Sequence, residues 1–197
     1  IEPNHGVITI SAASTTHAVS GSVIRELLVE EGDWLEAGQL IAITDSTEML
    51  RHHHKMAEQE LALAVIAAEA AESQAEEACT IARVAESEAA RRANLLERGL
   101  ASTEETEQAQ GDSQARAASC TAGRANARVA SASIEVAREK VALRAAEVER
   151  SLVRAPSTGR VLAIHARPGE LAGATGVLDL GRTDRMMAVA EVYETDI

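Results

Sequence analysis

The sequence has no phenylalanine and only one tryptophan, Trp34, and one tyrosine, Tyr193, in 197 residues. Aromatic side chains are the usual bulky filler of a large compact core, so most of this chain is not expected to build one. No apolar run reaches the length of about 18 residues that a transmembrane helix needs. A P-loop, a nucleophile elbow and paired Cys or His-Glu metal motifs are also lacking. We therefore expect no enzyme and no catalytic residues.

Positive charge is also scarce, with 19 basic against 31 acidic residues and a net charge of −12. Nucleic-acid binding needs clustered Lys and Arg, so this balance argues against a nucleic-acid partner. No signal peptide is visible. The sequence starts and ends without a tail, and we interpret it as a piece of a longer protein whose export signal or anchor lies upstream.

Two segments, residues 6–45 and 153–181, have the alternating apolar pattern and spaced glycines of short strands and turns. They also resemble each other. The matching pairs are Gly21 and Gly159, Val23 and Val161, Gly32 and Gly169, and Leu40 and Val177. Each half has too few strands to be stable alone. The repeat therefore predicts one small β-sandwich assembled from both halves.

The intervening residues, 46–152, have the three-and-four spacing of a coiled-coil seam. In the first helix the predicted seam is Leu61, Ala64, Ala68, Ala71, Ala75, Ala78, Ala82, Ala85 and Ala89. In the second helix it is Ala115, Ala118, Ala122, Ala125, Val129, Ala132 and Val136, with Ile134, Val141 and Val148 widening the stripe. Alanine at a seam lets helices approach closely but buries little area.

A helix reversal is predicted at about residues 98–102. Gly99 suits a left-handed C-cap of the first helix, and Ser102 with Glu105 forms an S-x-x-E capping box for the second. The two helices should then run antiparallel, each roughly 75 Å long. Facing residues should have numbers that sum to about 200, so the helices end where the two β halves meet.

The chain resembles periplasmic adaptor proteins, also called membrane fusion proteins, of the HlyD family, and especially the DevB-type adaptors of ABC exporters. The resemblance covers nearly all non-helical residues, and the segments "IHARPGE" and "VAEVYETDI" are its most specific parts. It implies an α+β fold, in which a lipoyl-like β-sandwich (6–45 and 153–181) is split by a long antiparallel α-helical coiled-coil hairpin (46–152). Residues 182–197 would begin a truncated β-barrel domain, which could leave its first strand without a partner.

Many adaptors of this type carry an Arg, a Leu four residues on and a Ser seven residues after that at the hairpin tip. Here Arg91, Leu95 and Ser102 have this spacing. The resemblance implies that they dock against a TolC-like outer-membrane channel. Arg offers a forked donor, and Leu an apolar knob. Ser102 is needed as a helix cap in any case, and Arg and Leu are common in helices, so the spacing alone is a weak signal.

No cofactor or metal is expected. Lipoyl domains that carry a cofactor present a Lys at the turn between their halves, but here the coiled coil replaces that turn after Asp45, and the next Lys is Lys55 in the helix. The run "RHHHK" at 51–55 places three adjacent His in three directions of a helix, so one metal ion cannot bind all of them.

Cys79 and Cys120 should lie at the same level of the hairpin, in a compartment that permits disulfides. However, Cys79 is one residue beyond the predicted seam and Cys120 two residues beyond it. Their side chains would then diverge, and a disulfide needs Cα atoms within about 7 Å. The sequence leaves open whether the two cysteines are bridged.

The resemblance implies a periplasmic adaptor subunit, anchored to the inner membrane, that links an ABC transporter permease to a TolC-like channel. It also implies a homo-oligomer of six copies and a lipid-type cargo. Within the same class, an adaptor for drug efflux or type I protein secretion is the alternative. From other classes, a lipoyl-type carrier domain and a homodimeric structural coiled coil remain open.

Overall fold

The computed structural model describes residues 2–3, 6–12, 22–184 and 186–187. These residues form ten strands and two helices. The elements are β1 (Glu2–Pro3), β2 (Val7–Ile10), β3 (Ser22–Leu27), β4 (Trp34–Leu35), β5 (Leu40–Thr44), α1 (Thr47–Glu97), α2 (Thr103–Arg150), β6 (Leu152–Arg154), β7 (Gly159–Ile164), β8 (Leu171–Ala172), β9 (Leu178–Gly181) and β10 (Met186–Met187). The chain divides into a β unit, which extends up to His54 and resumes at Leu143, and a helical unit, Lys55–Ala142.

The β unit contains two four-stranded antiparallel sheets, with the orders β2-β9-β7-β4 and β6-β5-β3-β8. Each sheet takes two strands from before the helices and two from after them. One cluster of buried apolar side chains, which includes Ile24, Ile41, Val161 and Leu178, draws on both sheets. The two sequence segments therefore form a single core, as the repeat predicts.

The internal repeat is visible in the sheets, because exchanging the two halves converts one sheet order into the other. The same turn also recurs in each half. At residues 30–33 and again at 167–170, the third residue is a glycine with positive φ, 94° at Gly32 and 89° at Gly169. In each turn the carboxylate of the fourth residue accepts a hydrogen bond of 2.8 Å from the first residue's N–H. Because positive φ strains other residues, these two glycines are required by the turns.

The start of α1 and the end of α2 are tied together inside the β unit by buried hydroxyls. Thr44 Oγ1 donates to the carbonyl of Ser151 at 3.0 Å and lies 3.3 Å from Thr47 Oγ1. All three residues are at least 97% buried. Buried hydroxyls need such partners, so this network fixes where the helical segment leaves and rejoins the sheets.

The helical unit is an antiparallel pair. Contacts between α1 and α2 join residues whose numbers sum to 197–200: Glu60 with Lys140, Ala75 with Gly123, Cys79 with Cys120, and Arg92 with Glu105. This matches the predicted sum of about 200. Helices of 51 and 48 residues are long by the standard of globular proteins.

The predicted seam is confirmed in α1 but is wrong in α2. All nine predicted α1 positions are buried or half-buried. In α2, Ala125 is half-buried, but the other six predicted positions are exposed, and Val129 and Val136 are each 72% exposed. The residues of α2 that face α1 are instead Thr106, Ala109, Ser113, Cys120, Gly123, Ala127, Ala130, Ile134, Ala137 and Val141.

The physical reason is that α2 carries two apolar lines with coiled-coil spacing, on roughly opposite sides of the helix. The buried line contains Ile134 and Val141, whose side chains remove more apolar area from water than alanine does. It also contains Gly123, which permits close approach to Ala75. Ile134 and Val141, predicted to lie at the edge of the seam, belong to the seam itself.

The predicted β-barrel segment, 182–197, lies mostly outside the described residues. Within the part that is described, β10 pairs antiparallel with β1, with Met187 opposite Glu2 and Met186 opposite Pro3. This strand therefore has a partner. No helix among the described residues has the length and apolar character that crossing a membrane requires.

Candidate functional site at the helical tip

The tip of the helical unit is a short reversal between Glu97 and Thr103. Gly99 has a φ of 73°, which only glycine adopts without strain. Its N–H donates to the carbonyl of Leu96 at 2.8 Å, and the N–H of Leu100 donates to that of Leu95 at 2.8 Å. These two bonds satisfy carbonyls that the helix end would otherwise leave without a donor.

The second helix begins with reciprocal hydrogen bonds between Ser102 and Glu105. The Ser102 N–H donates to Glu105 Oε2 at 3.2 Å, and the Glu105 N–H donates to Ser102 Oγ at 3.2 Å. The Ser102 hydroxyl also donates to Glu105 Oε2 at 3.1 Å. These bonds from Ser102, first from its backbone and then from its hydroxyl, lower the pKa of Glu105. The hydroxyl of Ser102 is thus already used as both donor and acceptor.

Arg91, Leu95 and Ser102 all lie at this end of the helical unit, but they differ in availability. The Arg91 side chain is 68% exposed, and its only ion pair among the described residues is with Glu88 at 3.4 Å. Leu95 is half-buried, and Ser102 is exposed but engaged in the cap. Arg91 is therefore the member of the three that is freest to meet a partner.

Leu100 is a tip residue that the sequence analysis missed. Its side chain is 68% exposed immediately after the C-cap glycine. A large apolar side chain at this level of exposure contributes little to the stability of its own fold. Its position in the sequence could have identified it as exposed. An apolar residue between Gly99 and the N-cap Ser102 lies in the turn, outside both helices.

Arg92 joins the two helices just below the turn, and it too was missed. Its Nε lies 3.0 Å from Glu88 and its Nη1 3.9 Å from Glu105 on α2. The hydrogen bond from Arg92 is the main cause of a lowered pKa of Glu88, and that bond in turn raises the pKa of Arg92. Arg92 and Glu88 are half-buried and Glu105 is exposed, so solvent screens each pair and each contributes little to stability. Their shared geometry nevertheless orients the tip.

Cys79 and Cys120 form a disulfide in the structure, with a Cα–Cα distance of 4.5 Å. The expected divergence of their side chains rested on the wrong α2 seam. Cys120 lies on the buried line of α2 rather than beside it, and this brings its side chain toward α1.

The run 51–55 lies in α1, where His52 and His53 are exposed and His54 is half-buried. Among the described residues no group of three or more His, Cys, Asp or Glu could hold a metal ion. His165 is engaged with Asp179 at 2.9 Å. Asp179 accepts a hydrogen bond from the Thr9 hydroxyl at 2.7 Å. That hydroxyl first, and His165 second, lower the pKa of Asp179. His5 and His17 are outside the described residues.

Comparison with known proteins gives a shared fold. No protein-family model and no curated protein sequence matches the chain. Among solved structures, MacA from Actinobacillus actinomycetemcomitans matches with a TM-score of 0.50 and 19% identity, over 92% of this chain and 54% of that one. The chain thus spans about half of MacA.

Two further structures match less well. The periplasmic adaptor protein EmrA has a TM-score of 0.40 and 10% identity, over 89% of this chain and 72% of that one. The soluble domain of LipC, a membrane fusion protein of a type I secretion system, has a TM-score of 0.46 and 10% identity, over 88% and 98%. The TM-scores of EmrA and LipC are too low to support an argument. The match to MacA, at 19% identity, supports a shared fold alone.

Proposed function

We propose that the chain is part of a periplasmic adaptor subunit of a tripartite export system, which links an inner-membrane transporter to an outer-membrane channel. The observation that carries this proposal is the insertion of a two-helix hairpin of 51 and 48 residues between the halves of one small β unit. The fold similarity to MacA supports it. The subunit acts as a spacer and coupler, and it carries out no chemistry.

The finer assignment follows the sequence resemblance. We assign an ABC transporter as the inner partner, a TolC-like protein as the channel and a lipid-type molecule as the cargo. A drug or a secreted protein is the alternative cargo. The β unit would be a lipoyl-like domain, which the exchange symmetry of its two sheets supports. Residues 182–197 would begin a further β-barrel domain, and a segment outside this sequence would anchor the subunit to the inner membrane.

The tip would dock on the channel through Arg91, Leu95 and Leu100. Arg91 offers an exposed guanidinium, and Leu100 an exposed apolar side chain, on the same end of the helical unit. Ser102 would act mainly through the cap, which sets the direction in which α2 leaves the turn. Arg, unlike Lys, can bind a carboxylate with two parallel hydrogen bonds.

Several copies, six by the resemblance, would pack side by side through their helical units. The exposed line of α2, which includes Ala115, Ala122, Val129 and Val136, has the spacing of a seam that a second helix could fill.

Charge supports the same arrangement, because residues 58–77 of α1 hold six Glu and no Arg or Lys. At the matching level of α2, the side chains of Arg124 and Arg128 make no hydrogen bond or ion pair with the described residues, although they line a groove with Glu72 and Glu76 of α1. A ring that places α1 of one copy beside α2 of the next would therefore bring opposite charges together.

Site-specific crosslinking in cells tests the proposal. A photo-crosslinking residue replaces Glu97, which is exposed beside the tip, in the full-length protein, and a matched variant replaces the exposed Glu135 in the middle of α2. We expect position 97 to capture an outer-membrane channel and position 135 to capture other copies of the chain. Capture of the chain alone at both positions would refute channel docking.

The two alternatives from other classes predict different results. A lipoyl-type carrier would show added mass on a Lys of the native protein, and the chain has only Lys55 and Lys140 as acceptors. A homodimeric structural coiled coil would show a two-copy mass in native mass spectrometry of the full-length protein and no envelope partner at either crosslinking position.

A further inference from the structure

The disulfide lies where the two helices approach closely. The Cα atoms of Cys79 and Cys120 are 4.5 Å apart. One turn away, a Cβ placed on Gly123 would lie 3.1 Å from the Cα of Ala75. Neighbouring seam positions are also small, such as Ala82 and Ala127. Small side chains bury little apolar area, so the covalent bond supplies much of the cohesion at this level.

The disulfide borders a surface groove. Both cysteines line this groove, which has a volume of about 370 Å³, together with three charged residues, Arg83, Glu86 and Arg124. Cys79 is 9% exposed and Cys120 is half-buried, so Cys120 is the easier sulfur to reach. A structural disulfide sealed in a core would offer no such approach.

Each cysteine is followed by an arginine one helical turn later, in "CTIAR" at 79–83 and "CTAGR" at 120–124. Side chains four residues apart lie on the same helix face. Arg83 donates only to the neutral Thr80 hydroxyl, at 3.0 Å, and Arg124 has no partner among the described residues. Two guanidinium groups that pair with no carboxylate of the described residues therefore flank the disulfide, and Glu86 is the one acidic residue lining the same groove.

We propose that the Cys79–Cys120 disulfide is a redox-controlled lock on the helix pair, which a protein dithiol opens by thiol–disulfide exchange. This inference goes beyond the adaptor proposal and does not depend on it. The attacking group is a thiolate, and both it and the leaving thiolate are anions that nearby arginines stabilise. The paired arginines therefore favour exchange at this groove.

The exchange proceeds in two balanced steps. A thiolate of the dithiol attacks Sγ of Cys120, forming a mixed disulfide, and the bond to Cys79 breaks with its electron pair leaving on Cys79. The second thiolate of the dithiol then attacks its partner sulfur in the mixed disulfide and releases Cys120 as a thiolate. Each cysteine thiolate then takes a proton from water to the extent that the solution pH favours the thiol. The chain gains two electrons and the dithiol leaves as a disulfide.

Opening the lock should loosen the middle of the hairpin while leaving its ends in place. The tip keeps its own capping bonds, and the far end of the helices keeps the buried Thr44, Thr47 and Ser151 network. Between these two ends, only contacts of the small seam residues would hold the helices together.

The first test measures the rate at which the disulfide opens in the folded protein. Dithiothreitol and, separately, reduced thioredoxin are added at low salt, and free thiols are trapped by alkylation and counted by mass spectrometry. The variant pair is Arg83→Gln with Arg124→Gln. The matched control is Arg116→Gln, which removes an arginine of α2 that pairs with Asp112 and does not line the groove.

We expect no free thiol before reduction, and an opening rate about three- to tenfold lower in the double variant than in the control. Far-UV circular dichroism checks that all variants remain helical. Two free thiols in the untreated protein would overturn the proposal, as would equal opening rates in the double variant and the control.

The second test asks whether opening changes the hairpin. Amide hydrogen exchange is followed in peptides from 71–90 and 113–134, in the oxidised protein, the reduced protein and the Cys79→Ser, Cys120→Ser double variant. Peptides that contain β9 serve as the internal control. We expect exchange several-fold faster in both helical regions after reduction or substitution, and no change in β9. Equal amide exchange rates of the helical peptides in all three forms would show that the disulfide does not hold the two helices together.

Discussion

Substitutions at Gly123 and Gly111 test how closely the two helices pack. Both are interior positions of α2, but a Cβ on Gly111 would meet nothing within 4 Å, whereas one on Gly123 would lie 3.1 Å from the Cα of Ala75. Replacing a helix-interior glycine by leucine gains about 0.7 kcal/mol from helix propensity alone. At position 123 the added side chain must also displace α1, and overpacking of this kind costs about 1–3 kcal/mol.

Gly111→Leu should therefore stabilise the helical unit by about 0.7 kcal/mol, and Gly123→Leu should destabilise it by about 0.3–2.3 kcal/mol. Gly123→Ala and Gly111→Ala give the graded comparison, because alanine adds only the Cβ. Denaturant unfolding followed by the helical circular dichroism signal measures these differences. The disulfide is kept oxidised in every sample, so that the register of the helices does not change.

A result in which Gly123→Leu stabilises as much as Gly111→Leu would refute the close approach at this level. It would mean that α1 and α2 lie further apart, and that the alanine seam is not the packing surface. Because propensity contributes equally to both variants, their difference isolates the contact with Ala75.

Four other predictions concern single substitutions. Ser102→Ala should destabilise the helical unit by about 1 kcal/mol through loss of the N-cap, and Gly99→Ala by about 1–2 kcal/mol through strain at positive φ, both measured by denaturant unfolding. Folding lowers the pKa of Glu105 from 4.5. The ionised carboxylate therefore stabilises the folded state above that value, and this stabilisation is lost as pH falls through the folded-state pKa. Glu105→Gln should flatten the decline in thermal midpoint below about pH 5. Thr9→Val should raise the pKa of Asp179, as NMR titration of its carboxyl would show, because the Thr9 hydroxyl is the main cause of its lowering.

The fold could be predicted wherever a local sequence pattern fits only one arrangement of strands or helices. Strand alternation, paired glycines and equal helix lengths each pointed to one arrangement, and the turns at Gly32 and Gly169 carry the repeat into the backbone. The reversal at residues 98–102 was equally specific, because Gly99 and Ser102 meet the separate demands of a helix end and a helix start.

The candidate site was less predictable, because exposure depends on the register between helices. Spacing identified Arg91, Leu95 and Ser102, but it could not tell that the Ser102 hydroxyl is consumed by Glu105 or that Leu100 is among the most exposed apolar residues. Nor could it indicate Arg92, whose importance comes from reaching Glu105 across the turn. Contacts between helices decide these points, and sequence spacing within one helix does not report them.

The second helix carries more apolar surface than α1 can cover. Two lines of apolar residues with coiled-coil spacing run along one helix, and α1 can cover only one of them. The line that α1 covers contains Gly123 and Cys120 beside Ile134 and Val141, so it alone allows both close approach and the disulfide. The line left outside keeps Val129 and Val136 each 72% exposed. An exposed apolar line lowers solubility and adds little stability to the single chain. We therefore predict that a helix from a second copy covers it. The substitution that tests this is Val129→Asp with Val136→Asp in the full-length protein. It should leave the helical signal of one copy intact while lowering the assembled mass in native mass spectrometry, and an unchanged assembly would assign this face to solvent.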